Sequence, residues 1–358
     1  MALEPLSFNR GKAVSAAPPA TALQADPLLV EVTRGNMVES GHRAAVALVD
    51  VKGNVVLSAG DIDRPVYARS AIKSLQAIAL VESGGAEAYD VSAAELAMAC
   101  ASHSGEPRHA ETAEAWLQRI GCSVEDLECG PQLPSHEPSM IALLATGKLP
   151  TAAHNNCSGK HSGFLTLARH LGVPTKGYVK LEHPVQQRIL GVLEGMTGLD
   201  LGSAPRGIDG CSIPVIGMPL GNIALAMARL GVPDDQPEPR RAACARIRAA
   251  VAEEPFMVAG SGRFDTLVME QTGAKALIKT GAEGVYCGSF PELGLGAAIK
   301  VEDGAGRAAE ILMGRLLRHL DILSEEAAAA LGGVLQAPLH NRAGLTVGEV
   351  RPAERIPF

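Results

Sequence analysis

Ser70-Ala71-Ile72-Lys73 and, far downstream, Lys279-Thr280-Gly281 decide how this chain is read. Ser70 follows the turn-like Asp63-Arg64-Pro65 and opens an apolar-periodic run, Ile72, Leu75, Ile78 and Ala79, which predicts an amphipathic helix. On such a helix Ser70 and Lys73 lie one turn apart on one face. A serine hydroxyl is a weak nucleophile until a base takes its proton, and lysine serves as that base once burial or a nearby cation holds it neutral. Lys279 supplies such a cation. It ends the apolar run from Ala274 to Ile278, so K-T-G sits at the end of a predicted strand. S-x-x-K by itself is a weak signal, because Ser70 also reads as a helix cap and Lys73 as a solvated helix residue. The two motifs together read as the two ends of one nucleophilic serine site.

Composition sets the class. The chain has 358 residues, 47% hydrophobic, which supplies a core for one large domain or two ordinary ones. A net charge of -7 with no basic stripe makes nucleic acid and anionic membranes poor partners. Aromatic residues make up only 3%, too few for stacking platforms. No apolar run approaches a membrane span, and residues 1–26 lack a cationic start followed by an apolar segment, so a cytoplasmic location is expected. The seven cysteines have no framework spacing and are expected to be reduced.

The strand signals cluster at both ends. Leu28 to Thr33 alternates, Ala44 to Val51 and Asn54 to Leu57 flank a turn at Lys52-Gly53, and residues 274–280, 285–290 and 294–301 read as a meander. Between them, candidate helices start near Ser70, Ser92, Pro107, Ser139, Gly159, Pro184 and Pro237; Ala305 to Leu320 is another, and one more begins at Ser324. These signals predict an irregular leader over 1–26 and one α+β domain over 27–358. Its terminal segments form an antiparallel sheet, and a helical insertion over about 85–272 forms the second layer. The site falls between the layers, where pockets are common.

A second constellation is polar. His154-Asn155-Asn156-Cys157-Ser158-Gly159-Lys160-His161 opens a helix, and Asp209-Gly210-Cys211 places an acid and a thiol on one side of an extended segment. Thiolate with carboxylate suits zinc, although lysine must lose its proton to bind a metal; buried thiols in unrelated places are the plain alternative.

Five motifs in order now carry a resemblance: Arg69 to Lys73; Ala101-Ser102-His103-Ser104-Gly105-Glu106; Asn156 to His161; Asp209 to Pro214; and Lys279 to Gly284. Together they resemble the rhizobial-type L-asparaginases, the asparaginase II family. The resemblance implies a fold similar to serine β-lactamases and penicillin-binding proteins, a homodimer, and hydrolysis of L-asparagine to L-aspartate and ammonia. It implies catalytic pairs Ser70 with Lys73 and Ser102 with Lys279, and zinc held by Cys157, Lys160, Asp209 and Cys211. Arg69 is the candidate for the substrate carboxylate, Glu106 for its α-amino group, and His161 for the periphery of the metal and the substrate pocket.

The chain departs from the wider β-lactamase pattern at one place. Ser102-His103-Ser104 stands where S-D-N or S-x-N is expected, which speaks against a β-lactam substrate. The expected chemistry is acyl transfer with Ser70 as nucleophile, Lys73 as its base, Ser102 and Lys279 as a tuning relay, and zinc as an organiser of the pocket. A glutaminase, amidase or D-peptidase on the same scaffold is the nearest alternative. A zinc-binding sensor without catalysis is the alternative from another class, and the presence of both serines and both lysines argues against it.

Overall fold

The strand-forming ends of the chain meet in one antiparallel sheet. The computed structural model describes residues 25–354 and 356–358, so residues 1–24 of the expected leader lie outside the described residues. Asp26, at the end of that leader, is already buried and bridges Arg64 at 3.1 Å. In chain order the strands are β1 (Leu28–Arg34), β2 (Met37–Asp50), β3 (Val55–Ala59), β4 (Pro65–Tyr67), β5 (Arg206–Ile208), β6 (Pro214–Pro219), β7 (Leu277–Gly281), β8 (Val285–Phe290), β9 (Leu295–Val301), β10 (Pro338–His340) and β11 (Thr346–Pro352). The main sheet runs β10-β11-β1-β2-β9-β8-β7, with β3 paired to β2. Strands β2 and β9 pair from Ala44 opposite Val301 to Asp50 opposite Leu295, which joins the N-terminal hairpin to the C-terminal meander.

Ala44 to Val49 are all buried, without alternation. Such a strand needs cover on both faces of its sheet. The Leu220–Gly231 helix packs against β2, β8 and β9, and the Gly306–His319 helix against β1, β8, β9 and β11. Every residue of Leu220–Gly231 is buried. The sequence did not mark it because its N-cap, Pro219, supplies no side-chain cap to announce the start.

The other candidate helices form close to their expected starts, as Ala93–Ala99, Pro107–Arg119, Glu137–Ala145, Ser158–Leu171, Pro184–Thr197, Glu238–Glu253, Gly306–His319 and Glu325–Ala330. Ser92 closes a capping box with Glu95, accepting its backbone N–H at 3.3 Å. Three features differ from expectation. The helical middle is interrupted by β5 and β6, which with β4 make a small antiparallel sheet ordered β4-β6-β5. The C-terminal β10 and β11 extend the main sheet beyond β1. The Ser70 segment is a 3-10 turn, Arg69–Ile72, before the helix Lys73–Glu82 begins. Most of these pieces are too short for periodicity to register, and β11, though seven residues long, buries only Val350.

Gly159 sets how closely the layers approach. A Cβ there meets the Met98 carbonyl oxygen at 2.3 Å. The Ser158–Leu171 helix therefore lies flush on the end of Ala93–Ala99, which brings Cys157 and Lys160 up to Ala101 and Ser102. Gly159→Ala overpacks this contact and is expected to cost about 1–3 kcal/mol, read as a melting temperature lowered by several degrees in a thermal scan. An unchanged melting temperature contradicts the close approach.

Candidate active site

Ser70 stands on a bend. Arg69 has φ 51°, a left-handed conformation uncommon for a residue with a side chain. Its guanidinium offsets that strain by bridging Asp209, with Nη2 and Nε at 2.7 and 2.9 Å from Oδ1. The small sheet makes this reach possible, because β4 ends just before Arg69 while β5 and β6 flank Asp209. Gly281 explains the glycine of K-T-G. A Cβ there meets the Ala68 carbonyl oxygen at 2.9 Å and the Ala71 nitrogen at 3.1 Å, so β7 seats the Ser70 turn backbone to backbone.

The lysine of S-x-x-K is hydrogen-bonded to groups other than Ser70. Lys73 is 1% exposed, and its Nζ donates to the Ala101 carbonyl, to Ser102 Oγ at 3.0 Å and to Cys157 Sγ at 3.1 Å. The pairing therefore differs from the one implied by the motifs, since Ser102 is brought to Lys73. Lys279, also 1% exposed, donates to the Thr280 carbonyl at 2.7 Å. Burial pushes Lys279 down to about 7, against the pull of Asp265 and with the help of Lys73 and Arg263.

Backbone bonds hold Ser102. Its N–H donates to Val258 at 3.0 Å, that of Ser104 to Ala259 at 2.9 Å, and that of His103 to Asn156 at 3.3 Å. His103 Nδ1 accepts the Gly105 N–H at 3.1 Å, which leaves Nε2 to donate to Ser158 Oγ at 2.9 Å. Burial, with His109 and Lys73 beside it, holds His103 well below the usual histidine range and so neutral. Glu106 spans two loops: Oε1 accepts from Ser104 Oγ at 2.6 Å and from the Ser261 N–H at 2.7 Å, and Oε2 from Ser261 Oγ at 2.7 Å. Burial raises it, but these bonds outweigh burial and keep it ionised. Both oxygens are thus engaged within the chain.

The thiols meet nearby. A hydrogen bond from Cys211, with Lys73 and Lys160 close by, holds Cys157 well below the usual thiol range despite burial. The same bond and burial push Cys211 up. Lys160 Nζ lies 2.9 Å from Cys211 Sγ; burial opposes its charge, and the two sulfurs outweigh burial and raise it. Asp209 is the fourth member of the expected zinc set, and it faces Arg69. His161 Nδ1 bonds Tyr178 Oη at 2.7 Å while Nε2 is buried without a partner, and burial and Lys160 keep the ring neutral. Among the described residues no three His, Cys, Asp or Glu side chains group as a metal site. The soft donors Cys157 and Cys211 with Lys160 suit zinc in chemistry, and Asp209, which meets Arg69 and the Gly210 N–H through Oδ1, keeps Oδ2 for such a set.

Arg69, Ser70, Lys73, Gln76, Lys160 and Asp209 line one cavity together with apolar residues. The cavity is narrow at its lining side chains. Against this geometry, the family model for L-asparaginase II matches residues 30–352. The chain belongs to the L-asparaginase II family. Among solved structures, this L-asparaginase II family chain is similar to Mglu, with 13% identity, TM-score 0.45, and coverage of 78% of this chain and 67% of that one. It is also similar to a β-lactamase from Mycobacterium bovis, with 14% identity, TM-score 0.34 and coverage of 82% and 95%. A D-alanine carboxypeptidase from Burkholderia cenocepacia gives 10% identity, TM-score 0.37 and coverage of 82% and 92%. None of the curated proteins compared matches the chain.

Several residues that shape the site escaped the sequence reading. His103, Ser158 and Asn155 act through contacts distant in sequence, and Asn155 at least carries a local signal, its Oδ1 accepting the Cys157 N–H at 2.9 Å in an Asx turn. Asp265 gives no local signal. For an enzyme of this family, a site lysine that titrates near 7 sets the pH response: activity falls as pH drops through about 7, where Lys279 gains its proton, and holds in mildly alkaline buffer. A kcat/KM profile with its maximum below neutrality contradicts this assignment.

Proposed function

We propose that this chain is an L-asparaginase that works through an acyl-enzyme on Ser70. The observation that carries the reading is the convergence of Ser70, Ser102, Lys73 and Lys279 at one layer boundary in a chain of the L-asparaginase II family. Ser70 is the half-buried serine that lines the cavity, whereas Ser102 is 8% exposed and bonded to Lys73. Ser70 Oγ forms a bond to the side-chain carboxamide carbon as its proton passes to the neutral amine of Lys279. The C–N bond then breaks, ammonia leaves with that proton, and water hydrolyses the ester to release aspartate. Ser102 and Lys73 relay protons beside it. This reverses the roles first expected for the lysines, because Lys279 is the one pushed down to about 7 and the Lys73 amine is turned to Ser102.

The reading extends to zinc held by Cys157, Lys160, Asp209 and Cys211. Those four residues would hold it, and it would supply structural order to the pocket wall. Cys157 faces both the cluster and Lys73, so the cluster also fixes the lysine that holds Ser102. A homodimer and a cytoplasmic location belong to the same proposal. No helix among the described residues is long and apolar enough to cross a membrane.

An ammonia-release assay tests the substrate. Asparagine is expected to turn over, glutamine to be disfavoured because its longer side chain misplaces the carboxamide, and the α-N-acyl derivative of asparagine to be rejected by about 10⁴-fold. Ser70→Ala and Ser102→Ala each lower kcat by several orders of magnitude, with far less than additive loss in the double variant. Nitrocefin hydrolysis without ammonia from asparagine contradicts the proposal. Elemental analysis of the purified protein is expected to find about one zinc per chain. Cys157→Ser or Cys211→Ser lowers that content and raises KM more than it lowers kcat, and full metal-free affinity for asparagine removes zinc from function.

A further inference from the structure

Asp265 is fully buried in the first turn of the Phe264–Thr272 helix. Its Oδ1 accepts the Thr280 N–H at 2.8 Å, which belongs to the residue beside Lys279. Strand β7 is the last strand of the sheet, so this carboxylate occupies a free edge donor at the site. The other oxygen, Oδ2, is buried and has no hydrogen-bond partner. A buried carboxylate with an unpaired oxygen is costly unless a cation faces it. Lys279 lies within the reach of its charge without closing an ion pair, and of all the charges around Lys279 the strongest influence is that of Asp265.

The other groups facing Lys279 are Lys73 from the Lys73–Glu82 helix, Cys157, Arg263, and the thiols Cys100 and Cys287. Only Asp265 among them is anchored to the lysine's own strand by a hydrogen bond between distant segments. Behind it lie Tyr286 and Glu310. Tyr286 stands opposite Thr280 across the β7–β8 pairing, with its buried hydroxyl beside the Asp265 carboxylate. Burial, with Asp265 and Glu310 near, keeps Tyr286 protonated, and burial with Asp265 raises Glu310. Tyr286 supplies a neutral donor and Glu310 no positive charge, so the cations of this group are Lys279 and Arg263.

We propose that Asp265 is a positioning residue for Lys279, fixing the edge of β7 that carries the lysine and setting how readily the lysine gives up its proton. The inference rests on Lys279 as the base of the proposed reaction. Asp265→Asn keeps the size and an acceptor oxygen but removes the charge. Its removal favours the neutral amine, so the acid limb of the kcat/KM profile moves to lower pH by about one unit, while kcat at pH 8 stays within a few-fold of the parent. Asp265→Glu keeps the charge and holds the limb in place even where it slows the rate. Asp265→Ser is made alongside, so that either neutral variant with a folded melting transition suffices.

An NMR titration of protein carrying 13Cε-labelled lysine reads the same quantity without turnover, with the Lys279 signal assigned by its loss in Lys279→Met. The expected result is a matching downward shift of that signal in the neutral variants. A shifted signal with an unmoved rate profile keeps the role of Asp265 and removes Lys279 as base. A signal and profile both unmoved in a folded neutral variant overturn the inference.

Discussion

Three buried lysines, Lys73, Lys160 and Lys279, are the constraint around which this molecule is arranged. Each amine taken out of water costs several kcal/mol if it stays charged and unpaired, so each must either find acceptors or give up its proton. The three resolve this differently. Lys73 has a carbonyl, a hydroxyl and a sulfur. Lys160 has two sulfurs, whose pull outweighs its burial. Lys279 has one carbonyl and a distant carboxylate, too little to offset burial, and it alone is brought to neutral pH. The same burial thus makes one lysine an anchor and, in the proposed reaction, another the base.

The acceptors come from segments far apart, and small residues let them meet. Gly159 brings the thiol-bearing helix onto the end of Ala93–Ala99, and Gly281 brings the lysine strand under the serine turn. The small sheet of β4, β5 and β6 then ties the serine turn to the Asp209–Cys211 loop. Cys157 is the hinge between the two groups, close to Cys211 on one side and Lys73 on the other. A change in the sulfur cluster therefore reaches Ser102 through a single lysine.

Much of this was legible in the sequence, for physical reasons. The meander of β7, β8 and β9 and the hairpin of β2 and β3 are short apolar runs bounded by turn residues, and Ser92 and Ser324 announce helix starts by capping chemistry. The family could be read because its motifs are local strings. What could not be read is which amine faces which hydroxyl. Ser70 and Lys73 share a helical spacing, but the strained turn at Arg69 replaces the first helical turn and Lys73 swings to Ser102. Leu220–Gly231 begins without a capping side chain to announce it, and Asp265 looks from sequence like an ordinary acid in a first turn.

The account depends most on Ser70 being the atom that attacks. Rapid acid quench during turnover of asparagine, followed by peptide mapping with mass spectrometry, locates the acyl group directly. The predicted result is an aspartyl ester on the peptide containing Ser70, absent from the Ser70→Ala protein. An ester on the peptide containing Ser102 contradicts the account.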